Sequence, residues 1–159
     1  MGEKSTGPNP TDRGKSGTKR SLLVEGNGIP VSLAVGGANR HDMKLTGLTL
    51  GSIMVTKPEP TCESPQNLCA DKGYDYPEVR ELLEDWGYTI HIRSRGEEAK
   101  SRKQIPGYRA RRWVVERTQA WLNRFRRLLI RWEKKAENYL AMLHLACACI
   151  TYRAAGLFG

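Results

Sequence analysis

The alternation of hydrophobic and polar positions divides the chain into a short series of strands and helices. Residues 1–20 have almost no apolar content and are rich in Gly, Pro, Ser and Lys, which predicts a flexible basic arm that cannot supply a core strand. Residues 19–25 (KRSLLVE) and 30–35 (PVSLAV) predict two strands, joined by the turn signal Gly26-Asn27-Gly28. That turn is not a phosphate loop, because no strand–loop–helix context surrounds it. The pair Gly36-Gly37 ends the hairpin. A short helix is predicted over 43–50, with Asp42 as its N-cap or first-turn acid. Residues 51–66 hold Pro58, Pro60 and Pro65 and form an irregular crossover. Residues 67–70 (NLCA) predict a short buried strand ending at Asp71, followed by a turn. An amphipathic helix is predicted over 76–86, with Pro77 in its first turn and Gly87 closing it. Residues 88–92 (YTIHI) alternate and predict another strand. A polar, mostly basic loop over 93–107 leads into a long helix over 108–131 and a last helix over 138–154. This order predicts an α/β fold in one domain without internal repeats.

The long helix carries the clearest two-sided pattern. With Glu116 at zero and about 100° per residue, Val114, Thr118, Trp121, Phe125, Leu128 and Trp132 form one apolar stripe facing a core. Arg109, Arg112, Asn123, Arg127 and Lys134 share the face of Glu116. Two readings of that face stand side by side. It is a solvated surface on which Glu116 pairs with Arg112, or it is a carboxylate metal ligand framed by phosphate-binding groups. Asp71 has the same double reading. It is a turn residue, or an acid at the carboxyl end of a strand, where sites of open α/β sheets gather.

Composition sharpens the choice of partner. The 159 residues carry a net charge of +9, which favours a polyanion through counterion release. The four cysteines, Cys62, Cys69, Cys147 and Cys149, match no zinc spacing. They predict free thiols in a reducing cytoplasm, with Cys147 and Cys149 buried. No signal peptide is evident, and the longest apolar run, 139–150, is too short to span a bilayer. The last helix is apolar nearly all round, which predicts burial or, as the alternative, a homo-oligomer interface.

Several blocks resemble one known family. Ala70-Asp71-Lys72-Gly73-Tyr74-Asp75 resembles the block around the second aspartate of DDE transposases of bacterial insertion sequences. Arg112-Trp113-Val114-Val115-Glu116-Arg117, followed by Trp121-Leu122-Asn123-Arg124-Phe125-Arg126-Arg127-Leu128, resembles the block around their catalytic glutamate. The stretches 7–15, 19–20 and 36–42 resemble the same family, so the likeness covers nearly the whole chain. Two positions depart from the family's Tyr-x2-Arg-x3-Glu-x6-Lys signature. Tyr108 lies one residue too far from Arg112, and Asn123 stands where a lysine is usual, with Arg124 beside it.

The resemblance implies an RNase H-like mixed sheet flanked by helices, over residues 21–159. Asp71 and Glu116 are implied as catalytic, metal-binding acids. Arg109, Arg112, Asn123, Arg124, Arg127, Lys134, Lys15 and Lys19 are implied as the DNA-contacting set. It further implies Mg²⁺ or Mn²⁺ in a two-ion site, double-stranded transposon-end and target DNA as partner, and a nucleoid-associated location. In the family the first aspartate lies on a central strand upstream of the block at 7–15. The expectation is therefore a carboxy-terminal part that lacks this strand and takes its first acid from an upstream segment. A catalytically inactive DNA-binding remnant or regulator is the alternative.

Overall fold

The computed structural model describes residues 5–92, 100, 103–104 and 113–157. Arg109, Arg112 and most of the basic loop at 93–107 lie outside them. The chain forms two compact units, residues 1–54 with 114–159, and residues 55–113. Each holds its own sheet, and the architecture is mixed α/β, as the order of elements predicts.

The first unit contains β1 (Gly7–Pro8), β2 (Ser16–Val24) and β3 (Pro30–Gly37), antiparallel in that order. The arm reading of residues 1–20 is corrected here. Strand β2 starts at Ser16, and β1 pairs with Ser16 and Gly17. Polar and glycine residues suffice because the ladder bonds are made by backbone, and Thr18 and Lys19 pair with Gly37 and Gly36. The hairpin turn is held by Glu25. Its Oε1 accepts from the N–H groups of Asn27 (2.8 Å) and Ile29 (3.0 Å).

The strands alternate between two faces, and each face carries helices. On one, α1 (Met43–Gly51) packs against β2 and β3. Thr49 Oγ1 bonds Ser21 Oγ at 2.7 Å in the buried layer. A Cβ on Gly36 would stand 2.8 Å from Leu45 Cδ2, so the bare backbone at Gly36 is what lets α1 approach. On the other, Leu33 joins a core with Leu122, Leu128, Tyr139, Leu143, Ala146, Cys147 and Ile150, with Leu22 and Val35 packed against it. The core residues from Leu122 to Ile150 come from α3 (Trp113–Asn123), α4 (Arg126–Leu129) and α5 (Ala136–Ala154).

The long helix expected over 108–131 is not continuous. It stops at Asn123 and resumes for one turn as α4. No Gly or Pro marks the break. Arg124 and Phe125 close it with i→i−3 bonds to Trp121 and Leu122, and Phe125 leaves with an extended ψ of 95°. Beyond the break Leu128 is buried in the core, and Tyr139 Oη donates to its carbonyl at 3.2 Å. The placement of Arg127, Lys134 and Trp132 on the faces of one continuous helix therefore falls away, whereas Leu128 is buried as the stripe predicts and Phe125 packs against the same core. Trp132, assigned to the core stripe, is 74% exposed.

Helix α5 buries one face through Tyr139, Leu143, Ala146, Cys147 and Ile150, while His144, Leu145 and Tyr152 are exposed. Of the two thiols expected to be buried, Cys147 is, and Cys149 is half-buried. No described helix is long and apolar enough to cross a membrane.

The second unit pairs β4 (Gln66–Ala70) with β5 (Tyr88–Ile92) in parallel, through α2 (Pro77–Asp85). Val79 and Leu83 are the buried residues of α2. Pro77 stands in the first turn and Gly87 follows the end with φ +73°, as the sequence predicts. Strand β4 is less buried than its apolar letters suggest. Asn67 and Cys69 are exposed, and among the described residues β4 has only β5 beside it.

Candidate functional site

Glu116 stands on α3 in the first unit. The opposite side of this helix is fixed by Val114, Thr118 and Leu122, all buried. Thr118 is fully buried, and its hydroxyl reaches the carbonyl of Gly28 at 2.7 Å and that of Val114 at 3.1 Å. Arg117 donates through Nη2 to the Asn27 carbonyl, and its guanidinium lies 4.8 Å from the Trp121 ring. The tip of the hairpin thus clamps the helix. Gly28 has φ +87°, and a Cβ there would come within 2.9 Å of Arg117 Nη2, so the contact requires glycine. With its rotation set in this way, α3 presents the Glu116 carboxylate to solvent. The Glu116 carboxylate makes no hydrogen bond or ion pair among the described residues. Asn123 lies seven residues on, about 10 Å along the same face.

Asp71 ends β4 in the second unit and opens the 3₁₀ turn Lys72–Tyr74. Its Oδ1 accepts from the Gly73 N–H at 2.8 Å. A Cβ on Gly73 would lie 2.9 Å from that same oxygen, so the glycine admits the carboxylate. Asp75, four residues on, is occupied. Its Oδ1 accepts from Arg80 Nε at 2.9 Å and Nη2 at 2.7 Å. Asp71 is exposed. It therefore combines strand-end placement with an open carboxylate, and Asp75 does not.

The basic set is only in part available to a ligand. Asn123 Oδ1 accepts from Arg20 Nη2 at 2.7 Å. Arg127 Nε lies 3.1 Å from Glu133 Oε1. Lys19 Nζ lies 3.2 Å from Asp42 Oδ1 and 3.2 Å from the Arg40 carbonyl, and Lys15 lies 3.7 Å from Asp12. Asp42 stands at the start of α1 but makes no side-chain cap bond; its carboxylate goes to Lys19. Arg124 and Lys134 are exposed. Arg124 lines a groove of about 480 Å³ with Trp121, Phe125, Ile150, Arg153 and Ala154.

Three residues carry weight that the sequence reading does not assign. Arg20 bridges β2 to Asn123 while its Nη1 is buried without a hydrogen-bond partner among the described residues. Arg131 donates to Thr18 Oγ1, the Ser5 carbonyl, the Glu133 carbonyl and the Lys134 carbonyl, at 2.8–3.2 Å. Glu25 holds the hairpin turn. All three depend on contacts distant in sequence or on local turn geometry, so no spacing rule points to them. Burial pushes the Tyr139 hydroxyl up, which Arg20 and Arg131 oppose and Glu133 reinforces. It pushes the Cys147 thiol up to about 11, which makes that cysteine a packing residue and not a nucleophile.

Among the described residues no group of three or more His, Cys, Asp and Glu side chains is placed to hold a metal ion. The individual donors do suit one. Asp71 and Glu116 are exposed hard-oxygen ligands, the type that Mg²⁺ prefers.

Comparison with known proteins gives two findings. The transposase DDE domain family matches residues 2–150. The transposase proposed for insertion sequence element IS402 of Burkholderia cepacia is 39% identical over 154 residues, covering 95% of this chain and 70% of that protein. No solved structure matches.

Proposed function

The chain belongs to the family of transposases that carry the DDE domain, and from that premise we propose that it takes part in DNA transposition by metal-dependent phosphodiester cleavage and strand transfer at transposon ends. Asp71 and Glu116 serve as the acids, each offering carboxylate oxygens to a divalent cation, Mg²⁺ or Mn²⁺, for which the family's chemistry calls. When bound in pairs, such ions activate the attacking hydroxyl and stabilise the leaving oxygen. The chain's own contribution is to hold the ligands still. Thr118 and Arg117 fix the rotation of the Glu116 helix, and Gly73 fixes the Asp71 carboxylate.

The observation that carries this reading is the Glu116 carboxylate, exposed and unpaired among the described residues on a helix clamped from its other side. Arg124 and Lys134, with Arg109 and Arg112 outside the described residues, supply phosphate contacts, and Lys15, Lys19 and Arg127 join them by exchanging Asp12, Asp42 and Glu133 for phosphate. The catalytic unit is RNase H-like in this reading, and an upstream transposase segment adds a strand and the first acid. Two strand edges support that. Beyond Gly17, β2 has only β3 as a neighbour among the described residues, and β4 has only β5.

The test is cleavage and strand transfer on transposon-end DNA with Mg²⁺ or Mn²⁺, using the chain with and without the upstream polypeptide. Activity on reconstitution should fall at least ~100-fold in Asp71→Ala and in Glu116→Ala. Undiminished activity in either variant refutes the assignment of that acid. A second reading is a DNA-binding regulator without catalysis, for which the surplus of cations alone suffices. It requires DNA binding that is independent of metal and unchanged in Asp71→Ala.

A further inference from the structure

The segment that joins α4 to α5 has an unusual surface. Leu129 is 60% exposed, Ile130 58% and Trp132 74%. A single exposed apolar residue is ordinary, but three within four positions form a patch. The backbone is extended at Ile130, with φ −123° and ψ 127°, where the chain leaves α4. Exposure alternates from there on, with Ile130 and Trp132 outward and Arg131 and Glu133 inward.

The inward residues fix the ridge. Arg131 donates through Nη1 to Thr18 Oγ1 at 2.8 Å and to the Ser5 carbonyl at 3.2 Å. Its Nε donates to the Glu133 carbonyl at 2.9 Å, and its Nη2 to the Lys134 carbonyl at 3.2 Å. The guanidinium also lies 5.7 Å from the Tyr139 ring. The Glu133 side chain is 10% exposed and accepts from Arg127. One guanidinium thus ties the segment to β2 and to itself, and the apolar side chains stand outward on a firm support.

The chemistry of the rim selects the partner. Arg126, Lys134 and Lys135 are exposed around the ridge. From residue 126 to 137 the chain has five cations and two acids, Glu133 and Glu137, and Glu133 is turned inward. An exposed apolar segment with a cationic border is complementary to a polyanion that also offers flat apolar surfaces. DNA has both, phosphates for the cations and base faces for the ring.

We propose that the Leu129–Trp132 ridge is a DNA contact in which Trp132 and Ile130 press against or between bases, while Arg126, Lys134 and Lys135 hold the flanking phosphates. It rests on the reading that this chain binds DNA, and it assigns a contact separate from the Asp71 and Glu116 acids.

The experiment measures binding of the full chain to a duplex carrying a fluorescent adenine analogue, across a salt series. Trp132→Ala should weaken binding by roughly 5- to 100-fold with little change in salt slope, because stacking on bases releases no counterions. It should also abolish the analogue's fluorescence change, and Trp132→Phe should restore most of both. The double variant Lys134→Ala/Lys135→Ala should instead lower the slope of log K against log salt by roughly 0.9 for each phosphate left without its lysine. Because Trp132 is exposed, its replacement leaves the core intact, and circular dichroism checks this. Wild-type binding matched by Trp132→Ala overturns the ridge alone. A Trp132→Ala change in sedimentation of the free protein, with DNA affinity unchanged, also overturns it and assigns the ridge to a second copy. Absence of DNA binding by the wild type overturns both this proposal and the reading beneath it.

Discussion

The two acids are held by different means. Glu116 is placed by packing. Its helix is pinned by Val114, Thr118 and Leu122 below and by the hairpin tip through Gly28 and Asn27. Asp71 is placed by a local turn, with one hydrogen bond to a backbone N–H two residues away. The first arrangement draws its precision from contacts some ninety residues apart in sequence, between Gly28 and Thr118. The second draws it from the few residues of its own turn. A carboxylate set by packing should be sensitive to core substitutions, and one set by a turn should be sensitive only to its own loop.

Leu122→Ala should show the largest effect. Leu122 is 1% exposed at the centre of the core, and its truncation should cost about 2–5 kcal/mol. Denaturant unfolding measures the loss, and amide exchange should accelerate in α3, α5 and β3 while the β4–β5 amides are spared. Equal acceleration in both units would erase the contrast. Thr118→Val removes the donor to the Gly28 carbonyl and should cost about 1–3 kcal/mol. Glu116-dependent cleavage should fall with it, while the Asp71 turn keeps its exchange protection.

A smaller effect follows from Cys147. Burial raises its thiol from 9.0 to about 11 in the folded unit, so folding favours the protonated form. The resulting stability is fully present below pH 9 and is lost as pH rises from 9 towards 11, because the unfolded chain releases its proton first. Cys147→Ala should flatten that part of the stability curve. Tyr139, also raised by burial, should sustain the decline at higher pH. The smallest stability effect belongs to Gly73→Ala. The added Cβ meets only the tip of the Asp71 side chain, so melting should change by under about 1 kcal/mol. The carboxylate must move, and cleavage should drop several-fold. Unchanged cleavage would show that the turn does not set the acid.

The legible parts of the fold are those governed by short-range rules. The Asn-Gly hairpin, Pro77 and Gly87 at the ends of α2, and β5 over Tyr88–Ile92 all appear where turn chemistry and alternation place them. Boundaries failed where backbone pairing overrode composition, as at Ser16 in β2. The helix break after Asn123 is not legible because neither Gly nor Pro stands there, and Asn123 and Phe125 are only weakly unfavourable in a helix. Leu128, on the predicted apolar stripe, packs with Tyr139 and Leu143 on the far side of the break.

By itself, the sequence determined the candidate acids and the polyanion-seeking character of the surface. Residue type fixes the charge and ligand chemistry of Asp71 and Glu116, and a surplus of cations is a sum over the chain, independent of its folding. Only the tertiary structure decided which groups are spoken for. It gave Asn123 to Arg20, Arg127 to Glu133 and Lys19 to Asp42, and it turned Trp132 outward beside an anchored Arg131. Pairing and exposure depend on which side chains meet across long stretches of sequence, and helical periodicity carries no information about those meetings once the helix has ended.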